Sequence, residues 1–283
     1  MKIQRGDTAL VTGASRGLGV HIARALAQRG MNIVLAARSA AGLETTAQEF
    51  RGLGVEVLTV PTDVGNADAT AALVAAAIQK FGRIDVLINN AGIDTPLAFD
   101  QRTIAEIGET VQINLVAPIV LCRQVLPHML RAGRGHIVNV ASIAGVMSSP
   151  YEDLYVATKH GLVGFTRSLR LSAQDLKWPI SASALCPGFM DDAGMFESMK
   201  QNHGAKAPRA VGSMKAEVLG PATIRAIEKD LPDVLVMKGA PRISAALQVL
   251  LPRLYEMITK RIDAGAPFRV SAAGNAAARR AGI

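Results

Sequence analysis

The sequence predicts one doubly wound α/β domain, in which a parallel sheet of about seven strands carries helices on both faces. Short apolar, β-branched runs alternate with longer segments of helical period from the first residues to about residue 240. The runs are apolar at successive positions, as expected of strands that are covered on both faces. Repeated strand–helix alternation calls for right-handed crossovers and therefore for a parallel sheet. Because no internal repeat, long linker or composition shift divides the 283 residues, one domain fits better than two.

The strand pattern occurs seven times, and alanine-rich helical stretches lie between several of the strands. The predicted strands span residues 8–12, 32–36, 55–60, 84–89, 136–141, 180–186 and 233–237, and the clearest helical stretches span 17–29, 66–81 and 154–176. We assign residues 1–240 to the main domain, 241–262 to a C-terminal helix and 263–283 to a basic, flexible tail.

Two segments interrupt the alternation. Residues 189–213 are long, turn-rich and follow a strand end, which is typical of a mobile functional loop, and we call this segment the lid. Residues 242–262 carry apolar side chains at steps of three or four, which predicts an amphipathic helix kinked at Pro252. Such a stripe most often belongs to the core or to a subunit interface. The basic tail beside it leaves peripheral membrane contact as a minor alternative.

Composition and charge exclude several classes of protein. With 49% hydrophobic and 19% charged residues, the chain can bury a large core, so wholesale disorder is excluded. The formal net charge is +8, but residues 260–283 hold five basic residues and one acidic residue and so carry +4 of it. Aromatic residues make up only 4% of the chain and do not alternate with arginines, so no nucleic-acid partner is expected.

The cysteines and the absence of long apolar runs indicate a cytoplasmic protein. Cys122 and Cys186 cannot form a disulfide framework and lack the spacing of a zinc site, so we interpret both as small core residues and expect no metal. No apolar run reaches the ~18 residues that a membrane-spanning helix needs. The apolar run near the N-terminus is too short for the core of a signal peptide.

A glycine-rich turn joins the first predicted strand to the first predicted helix. Its spacing is Gly-x-x-x-Gly-x-Gly, which differs from the common dinucleotide spacing Gly-x-Gly-x-x-Gly. Glycines let the backbone approach a pyrophosphate, and the exposed amides at a helix start complement the anion. Many such turns are only loops, but the strand-to-helix position favours dinucleotide binding. The residues expected to contact the dinucleotide here are Gly13, Ser15, Arg16, Gly17, Leu18 and Gly19.

The end of the second predicted strand favours NADP(H) over NAD(H). An acidic side chain at this position would receive the adenosine ribose hydroxyls of NAD, but the strand is followed by Ala37 and Arg38. The guanidinium groups of Arg16 and Arg38 are suited to converge on a 2′-phosphate. The alternative is that both are solvated surface arginines.

Tyr155 and Lys159 stand four residues apart in a predicted helix, so their side chains share one face. A nearby ammonium favours tyrosinate and is expected to lower the phenol pKa from ~10, which makes Tyr155 a better proton donor and acceptor near neutral pH. The pair alone is common in proteins. Its significance comes from the motifs that accompany it.

These motifs follow one another in an order that resembles the short-chain dehydrogenase/reductase family from residue 8 to about residue 240. The resemblance implies a Rossmann-type fold and an oxidoreductase that uses a nicotinamide dinucleotide. Any one of the motifs could be accidental, but together they are hard to explain otherwise. They are the turn TGASRGLG, Asp63-Val64, Asn89-Asn90-Ala91-Gly92, Asn114, Ser142, Tyr155-x-x-x-Lys159 and Pro187-Gly188.

The resemblance implies four catalytic residues. Tyr155 would exchange a proton with the substrate oxygen, and Ser142 would hydrogen-bond and orient that oxygen. Lys159 would lower the tyrosine pKa and hold the nicotinamide ribose. Asn114 would support a water through which protons exchange with bulk solvent.

The resemblance also implies cofactor contacts outside the glycine-rich turn. Asp63 and Val64 would border the adenine. Of Asn89 and Asn90, one is expected only to close the sheet through backbone bonding. The further residues expected at the cofactor are Asn90, Ala91, Gly92, Tyr155, Lys159, Pro187, Gly188 and Met190.

The sequence departs from the family pattern at two places. Many relatives have a threonine four positions beyond the Pro-Gly motif, where this chain has Asp192. The carboxylate of Asp192 could accept from the amide nitrogen of a nicotinamide but could not donate to it. Asp191 and Asp192 are equally well explained as solvated lid residues, which leaves the nicotinamide contacts of the lid open. The β-ketoacyl reductases and similar tetramers end in an Asp-Gly-Gly motif that this chain lacks. We expect a homo-oligomer, dimer or tetramer, whose assembly differs from that common tetramer.

Three functional hypotheses follow. Methionines and phenylalanines of the lid, together with apolar residues after Ser142, favour an NADP(H)-dependent oxidoreductase that interconverts a lipophilic ketone and a secondary alcohol, although these residues could merely pack the lid. The second hypothesis is a reductase of ketoacyl thioesters on a carrier protein. The third is a non-enzymatic nucleotide-sensing module, which would not need the proton donor Tyr155.

Overall fold

The computed structural model describes residues 1–282 and contains a seven-stranded parallel sheet with helices on both faces. The strand order is β3-β2-β1-β4-β5-β6-β7. Strands β2 and β3 are thus added on one side of β1 and the later strands on the other side, so the order reverses between β1 and β4. The strands are β1 (Thr8–Thr12), β2 (Asn32–Ala37), β3 (Val57–Pro61), β4 (Val86–Asn89), β5 (Gly135–Val140), β6 (Ile180–Pro187) and β7 (Asp233–Val236). This confirms the predicted fold class, and each strand end lies within two residues of its predicted position.

Helices follow the strands as the sequence pattern predicts. Those that cover the sheet or extend from it are α1 (Leu18–Gln28), α2 (Ala40–Arg51), α3 (Ala67–Phe81), α4 (Ile104–Val111), α5 (Ala117–Arg131), α6 (Asp153–Asp175) and α8 (Leu219–Glu228). The lid contains α7 (Gly194–His203), and the C-terminal region forms α9 (Pro241–Leu250), α10 (Pro252–Arg261) and α11 (Ala266–Arg280).

The core lies on both faces of the sheet because successive strand residues point to opposite sides. Ala9 and Val11 of β1 pack in the cluster that includes residues of α1, α2 and α8. Leu10, between them, packs on the other face with residues of α3 and α5. All three are fully buried, which explains why the strands read as continuous apolar runs. Cys122 and Cys186 are buried and free, as the sequence analysis expected.

The C-terminal region differs from its prediction in two respects. One kinked helix was expected over residues 242–262, but the structure has two helices, and Leu251 separates them. Pro252 begins the second helix because proline has no N–H to donate to the preceding turn and its ring clashes there. The expectation that this stripe belongs to the core is wrong, since α9 and α10 contain no buried residue within the part of the chain that the structure describes.

The region expected to be a flexible tail, residues 263–283, instead contains helix α11 over most of its length. Phe268 of α11 is buried and packs with Phe189 and Phe196 of the lid, and its ring centroid lies 5.8 Å from that of Phe189. Ser271 and Ala272 are also buried on this face. Apolar packing by a few residues thus outweighs the local excess of basic charge.

Helix α4, a π-turn at Gln112–Val116 and helix α5 form one continuous helical stretch. By length and composition alone, Ile104–Arg131 could cross a membrane, a property that core helices of proteins outside membranes share. The sequence analysis expected no segment of this kind. Leu121, Val125 and Met129 of this stretch are buried in the core beneath the sheet.

Candidate active site

The predicted site residues lie at the carboxyl ends of the central strands, where the strand order reverses. The glycine-rich turn follows β1, Asn89 and Asn90 stand at the end of β4, and Ser142 follows β5. Open α/β sheets bind their ligands in the crevice outside this edge. We call the space bounded by the glycine-rich turn, residues 90–92 and the start of α6 the trench.

The glycine-rich turn has the shape of a phosphate cradle. Gly13 and Gly17 have positive φ values of 64° and 67°, which residues with a side chain rarely adopt. A Cβ on Gly13 would lie 2.8 Å from Asn90 Nδ2, and one on Gly19 would lie 2.5 Å from the carbonyl oxygen of Gly13. Helix α1 begins at Leu18, so its free amides open onto the turn. The residues present therefore fit a dinucleotide pyrophosphate.

Asn90 holds this turn in place from the neighbouring strand. Its Nδ2 donates to the carbonyl oxygens of Thr12, at 2.9 Å, and Gly13, at 3.2 Å. In return, Thr12 Oγ1 accepts from the backbone N–H of Asn90 and of Ala91. The side chain of Asn90 therefore binds the turn itself. The backbone of Ala91 and Gly92 forms the wall of the trench.

Asn89 belongs to a buried polar network that sequence reasoning missed. Its Nδ2 donates to Asn139 Oδ1 at 2.8 Å, and Asn139 Nδ2 donates to Thr166 Oγ1 at 2.8 Å. The network joins β4, β5 and α6 beneath the trench. Asn139 follows Ile137 and Val138 in a fully buried strand, and this polar residue was the signal that could have identified the network.

Arg16 and Arg38 lie at one exposed end of the trench. Both side chains are exposed. The two segments that carry them pack closely together. A Cβ on Gly42 of α2 would lie 3.0 Å from Ser15 Cβ and 3.2 Å from Ser39 Oγ, so the turn that carries Arg16 meets the helix start that follows Arg38.

Asp63 and Val64 follow β3 near the same end of the sheet. Asp63 is exposed, and its Oδ1 accepts from the backbone N–H of Gly65 at 2.9 Å. Val64 lines a small cavity together with Thr12 and Ala91. The two residues therefore border the sheet edge where the sequence analysis expected the adenine.

Tyr155, Lys159 and Ser142 come together at the base of the trench. Lys159 is buried in α6, and its Nζ donates to the carbonyl oxygen of Val140 at 3.0 Å and lies 5.4 Å from the centroid of the Tyr155 ring. Ser142 acts on the Tyr155 phenol by lowering its pKa. Its Oγ accepts from the backbone N–H of Ala144 and caps a short 3-10 turn, which is the capping role considered for this serine; its role at a substrate oxygen stays a prediction.

The pKa of Tyr155 is raised above its ordinary value, in contrast to the sequence expectation. Burial is the largest cause, and the carboxylates of Asp94 and Glu152 add to it, while the hydrogen bond with Ser142 opposes it. Burial also lowers the pKa of Lys159 to about 8. Burial and the two carboxylates therefore outweigh the opposing effect of Ser142 on the phenol pKa.

Asp94, which is partly buried, and Glu152, which is buried, form an acidic pair beside Tyr155 that the sequence did not predict. Glu152 is buried and stands three residues before Tyr155, and its Oε2 accepts from Ser149 Oγ at 2.5 Å. Burial raises the pKa of Asp94 to about 6, and burial with the neighbouring Asp94 raises that of Glu152. The sequence signal for Glu152 was an acid so close to the tyrosine, whereas no pattern marked Asp94.

Asn114 lies in the π-turn between α4 and α5. Its Oδ1 accepts from the backbone N–H of Ile93 at 2.8 Å, and its Nδ2 donates to the carbonyl oxygen of the same residue at 2.7 Å. A Cβ on Gly92 would lie 3.2 Å from Asn114 Oδ1 and 3.6 Å from Lys159 Nζ, so both side chains face this glycine. Isolated π-turns inside helices are frequent at functional sites.

The lid contacts two parts of the trench. Met195 Cε lies 3.7 Å from the same point above Gly92, and Gly194 packs against Leu18 at the start of α1. We therefore interpret α7 as a cover of the trench.

The two acidic residues of the lid act as its anchors. Asp191 pairs with Lys200 and accepts a short hydrogen bond from Ser213, and Asp192 Oδ1 accepts from the backbone N–H of Ala216 at 2.8 Å. These contacts favour the interpretation as lid residues over direct contact with a nicotinamide.

The segment after β6 brings only part of the predicted set to the trench. Pro187 ends the strand, and Gly188 donates its N–H to the carbonyl oxygen of Val236. The side chain of Met190, expected at the cofactor, is instead buried in the core, and the Met190 backbone forms an isolated β-bridge with Met214. Its backbone pairing turns the side chain inward, so only its main chain remains on the lid side.

Comparisons with known proteins agree with this geometry. Residues 7–204 match the model of the short chain dehydrogenase family. The chain is 38% identical over 259 residues to the ketoacyl reductase HetN of Nostoc sp., covering 91% of this chain and 87% of that protein.

Solved structures share the fold. A short chain dehydrogenase/reductase from Burkholderia phymatum in complex with NAD has a TM-score of 0.79 at 28% identity and covers 90% of this chain and 96% of its own. A variant of actinorhodin polyketide ketoreductase with NADPH has a TM-score of 0.74 at 31% identity and covers 83% of this chain and 97% of its own. The chain therefore belongs to the short chain dehydrogenase family and has the fold of an oxidoreductase.

Proposed function

We propose that this protein is an NADP(H)-dependent oxidoreductase that interconverts a lipophilic ketone and a secondary alcohol, with Tyr155 as general acid and base. The observation that supports it best is the convergence of Tyr155, Ser142 and Lys159 on one point of the trench, beside the glycine cradle. Asn114 faces Gly92 from the opposite wall. A nucleotide-sensing module would not need a proton donor at this point.

In the direction of reduction, a bound NADPH supplies the hydride to the carbonyl carbon. The Tyr155 hydroxyl gives its proton to the carbonyl oxygen, and the Ser142 hydroxyl donates a hydrogen bond to the same oxygen as negative charge develops there. Lys159 stands behind the tyrosine and stabilises the phenolate that remains until a proton from solvent replaces the one transferred. The products are the alcohol and NADP⁺, and oxidation of the alcohol reverses each step.

The preference for NADP(H) rests on Arg16 and Arg38. Both guanidinium groups are exposed at the end of the trench, on segments that contact each other through Ser15 and Gly42. Relatives with NAD and with NADPH share this fold, so the fold alone does not decide between the cofactors. Titration of NADPH and NADH into the protein tests the assignment. NADPH is expected to bind at least about tenfold more tightly, since a hydrogen bond to a charged group contributes ~1.5–3 kcal/mol.

The matched variants sharpen this test. Arg38→Gln should lose most of the preference for NADPH and leave NADH binding unchanged, whereas Arg225→Gln, an exposed arginine on α8, should alter neither. Equal binding of NADH and NADPH by the unaltered protein would remove the assignment.

The preference for a lipophilic substrate rests on fewer residues than the sequence suggested. Phe196 and Met199 of the lid are buried with Phe268 in the lid's own core, so they pack the lid. Met195, which lies near Gly92, and the segment after Ser142 remain as the candidate apolar lining of the site. A site walled by these groups favours an apolar carbonyl compound over a small polar one.

Ketoacyl thioesters are the second candidate substrate class. The ketoacyl reductase HetN aligns with 91% of this chain in sequence, and the actinorhodin polyketide ketoreductase aligns with 83% of it in structure. Both similarities favour this class. The missing Asp-Gly-Gly motif at the C-terminus argues against a close copy of the fatty-acid enzymes. Oxidation of NADPH, followed by absorbance with hydrophobic ketones, quinones and ketoacyl thioesters in parallel, distinguishes the two classes by their kcat/KM values.

We further propose a cytoplasmic homo-oligomer, dimer or tetramer, as the working form. Sedimentation velocity on the full chain determines the number of subunits. A monomer that is fully active at assay concentration would contradict this part of the proposal.

A further inference from the structure

Helices α9 and α10, which pack against each other, present eight large apolar side chains to solvent. The exposed fractions of Val249, Leu250 and Met257 are 77%, 75% and 61%. Single exposed apolar residues are ordinary on a protein surface, but a large contiguous set marks a binding face. We call this set the apolar patch; it consists of Ile243, Val249, Leu250, Leu251, Leu254, Met257, Ile258 and Ile262.

Basic side chains surround the apolar patch. Arg253, Lys260 and Arg261 each lie one helical turn from Met257 along α10, so they share or flank its face. All three are exposed, and the ion pairs within residues 1–282 involve none of them. Residues 241–262 carry four basic side chains and one acidic side chain, a net charge of +3.

We propose that α9 and α10 dock this protein on the surface of a bilayer that contains anionic lipid. The apolar patch would enter the boundary between headgroups and acyl chains, and the basic side chains would lie at the phosphates. A helix surface that combines exposed aliphatic side chains with flanking Lys and Arg has the chemistry of an interfacial membrane anchor.

The charge of the surface favours a bilayer over a second copy of the chain. A two-fold dimer would place this surface against itself and bring a net charge of +3 against +3 in a desolvated interface. An acidic protein would match the charge. However, the large aliphatic side chains exposed on both helices favour hydrocarbon as the occupant.

The docking helices are tied to the candidate active site. Gln248 of α9 accepts from the backbone N–H of Ser148 at 2.7 Å, and Tyr255 of α10 donates to the carbonyl oxygen of Ser148 at 3.0 Å. Ser148 lies in the segment that follows Ser142, so a docked bilayer would lie beside this side of the site. A lipophilic substrate dissolved in the bilayer would then approach from there, a consequence that rests on the proposed function.

Flotation of the full-length protein with vesicles tests the docking itself. Vesicles of phosphatidylglycerol and phosphatidylcholine in equal parts are compared with vesicles of phosphatidylcholine alone. We expect flotation with the anionic vesicles, weakened by added salt, and little with the neutral ones. Arg253→Gln should weaken binding about fivefold, since each basic residue near an anionic surface contributes ~1 kcal/mol. Met257→Glu should weaken it by about tenfold or more, because a charge enters the acyl boundary.

Two variants serve as matched controls. Ile104→Glu alters an apolar residue of α4 that is 83% exposed, and Lys229→Gln removes an exposed charge after α8. Both should float like the unaltered protein. All four variants change exposed side chains, and their Tm values should match that of the parent, so loss of fold is excluded as a cause.

Three results would overturn the proposal. They are no flotation of the unaltered protein with anionic vesicles, equal flotation of Met257→Glu, and an oligomer in sedimentation velocity that Met257→Glu dissociates while flotation is absent. NADPH titration of the same variants separates this inference from the proposed function, since docking variants should bind NADPH normally. Failure of NADPH binding in the unaltered protein would contradict the function and leave the docking result standing.

Discussion

The Nζ atom of Lys159 lies 5.4 Å from the centroid of the Tyr155 ring, one helical turn further along α6. It is held there by a hydrogen bond to the carbonyl oxygen of Val140 at the end of β5. The helix spacing and the strand end together fix the ammonium behind the phenol. This placement is costly, because burial disfavours the charged form and lowers the pKa of Lys159 to about 8.

Lys159→Met should lower turnover and leave the fold at least as stable. The methionine keeps the apolar stem but removes a buried charge whose only hydrogen bond within residues 1–282 is to Val140, so we expect Tm to stay level or rise. Turnover should fall about 100-fold, since the phenolate loses its counter-charge. Calorimetry and NADPH oxidation measure the two effects. A Tm that falls together with turnover would indicate a structural lysine instead.

The acidic pair Asp94 and Glu152 should make stability depend on pH. Their pKa values are raised in the folded protein, that of Asp94 to about 6 from 3.8, so the folded state binds more protons than the unfolded one. This contribution is fully present below the unfolded pKa values and is lost as pH rises through about 6. Thermal unfolding at a series of pH values should therefore show Tm falling between about pH 4 and pH 7 by this contribution.

Glu152→Gln tests the assignment because it removes one charge with little change of shape. The fall of Tm with pH should become shallower, and Tm near pH 8 should rise by about 2–4 °C for each ~1 kcal/mol recovered. The exposed Glu109→Gln on α4 is the control and should leave the pH profile unchanged. Identical pH profiles of Tm for Glu152→Gln and the unaltered protein would contradict the raised pKa values of Asp94 and Glu152.

Gly19→Ala should impair the nucleotide cradle, whereas Gly164→Ala should not. A Cβ on Gly19 would lie 2.5 Å from the carbonyl oxygen of Gly13, so the turn must shift, while a Cβ on Gly164 would meet no atom within 4 Å. In the helix α6, Gly164→Ala should add ~0.5–1 kcal/mol of stability. Nucleotide titration should show affinity at least about tenfold weaker for Gly19→Ala and unchanged for Gly164→Ala. Unchanged affinity in Gly19→Ala would place the nucleotide elsewhere.

Asn139→Ala should destabilise the fold through its two partners. The change removes the 2.8 Å acceptor of Asn89 Nδ2, which keeps the carbonyl oxygen of Pro118 at 3.3 Å, and the donor to Thr166 Oγ1, in a buried setting. A buried polar group left unsatisfied costs ~1–3 kcal/mol. Denaturant unfolding should therefore show a loss of about 1–3 kcal/mol, with the m value unchanged. A loss below ~1 kcal/mol would show that the network adds little.

The fold was predictable because its signals are local and repeated. The apolar runs that became β1 to β7 lie in the sequence with their boundaries nearly intact, since both faces of each strand are covered by helices. The C-terminal region was harder to predict. Its basic residues suggested a free tail. In the structure, Phe268 packs against apolar residues between positions 195 and 205 of the lid, which are distant from it along the chain.

The sequence predicted which residues form the site, but not the properties that depend on the packing around them. Tyr155, Lys159 and Ser142 do meet, because helix spacing and a strand end bring them together. The direction of the shift in the tyrosine pKa was not predictable, because it depends first on burial in the folded protein and then on Asp94, which reaches the site from another loop. Likewise, the sequence shows methionines in the lid, but only the packing shows that Met195 lies near Gly92 of the trench.

The central claim is that Tyr155 transfers the proton in a reaction with a bound nicotinamide nucleotide. The most direct test measures NADPH oxidation with ketones and ketoacyl thioesters, and NADPH affinity, for Tyr155→Phe beside the unaltered protein. We expect the phenylalanine variant to fold and to bind NADPH with nearly unchanged affinity, while its turnover falls by at least about 100-fold. A variant that turns over substrate as fast as the unaltered protein would contradict the account.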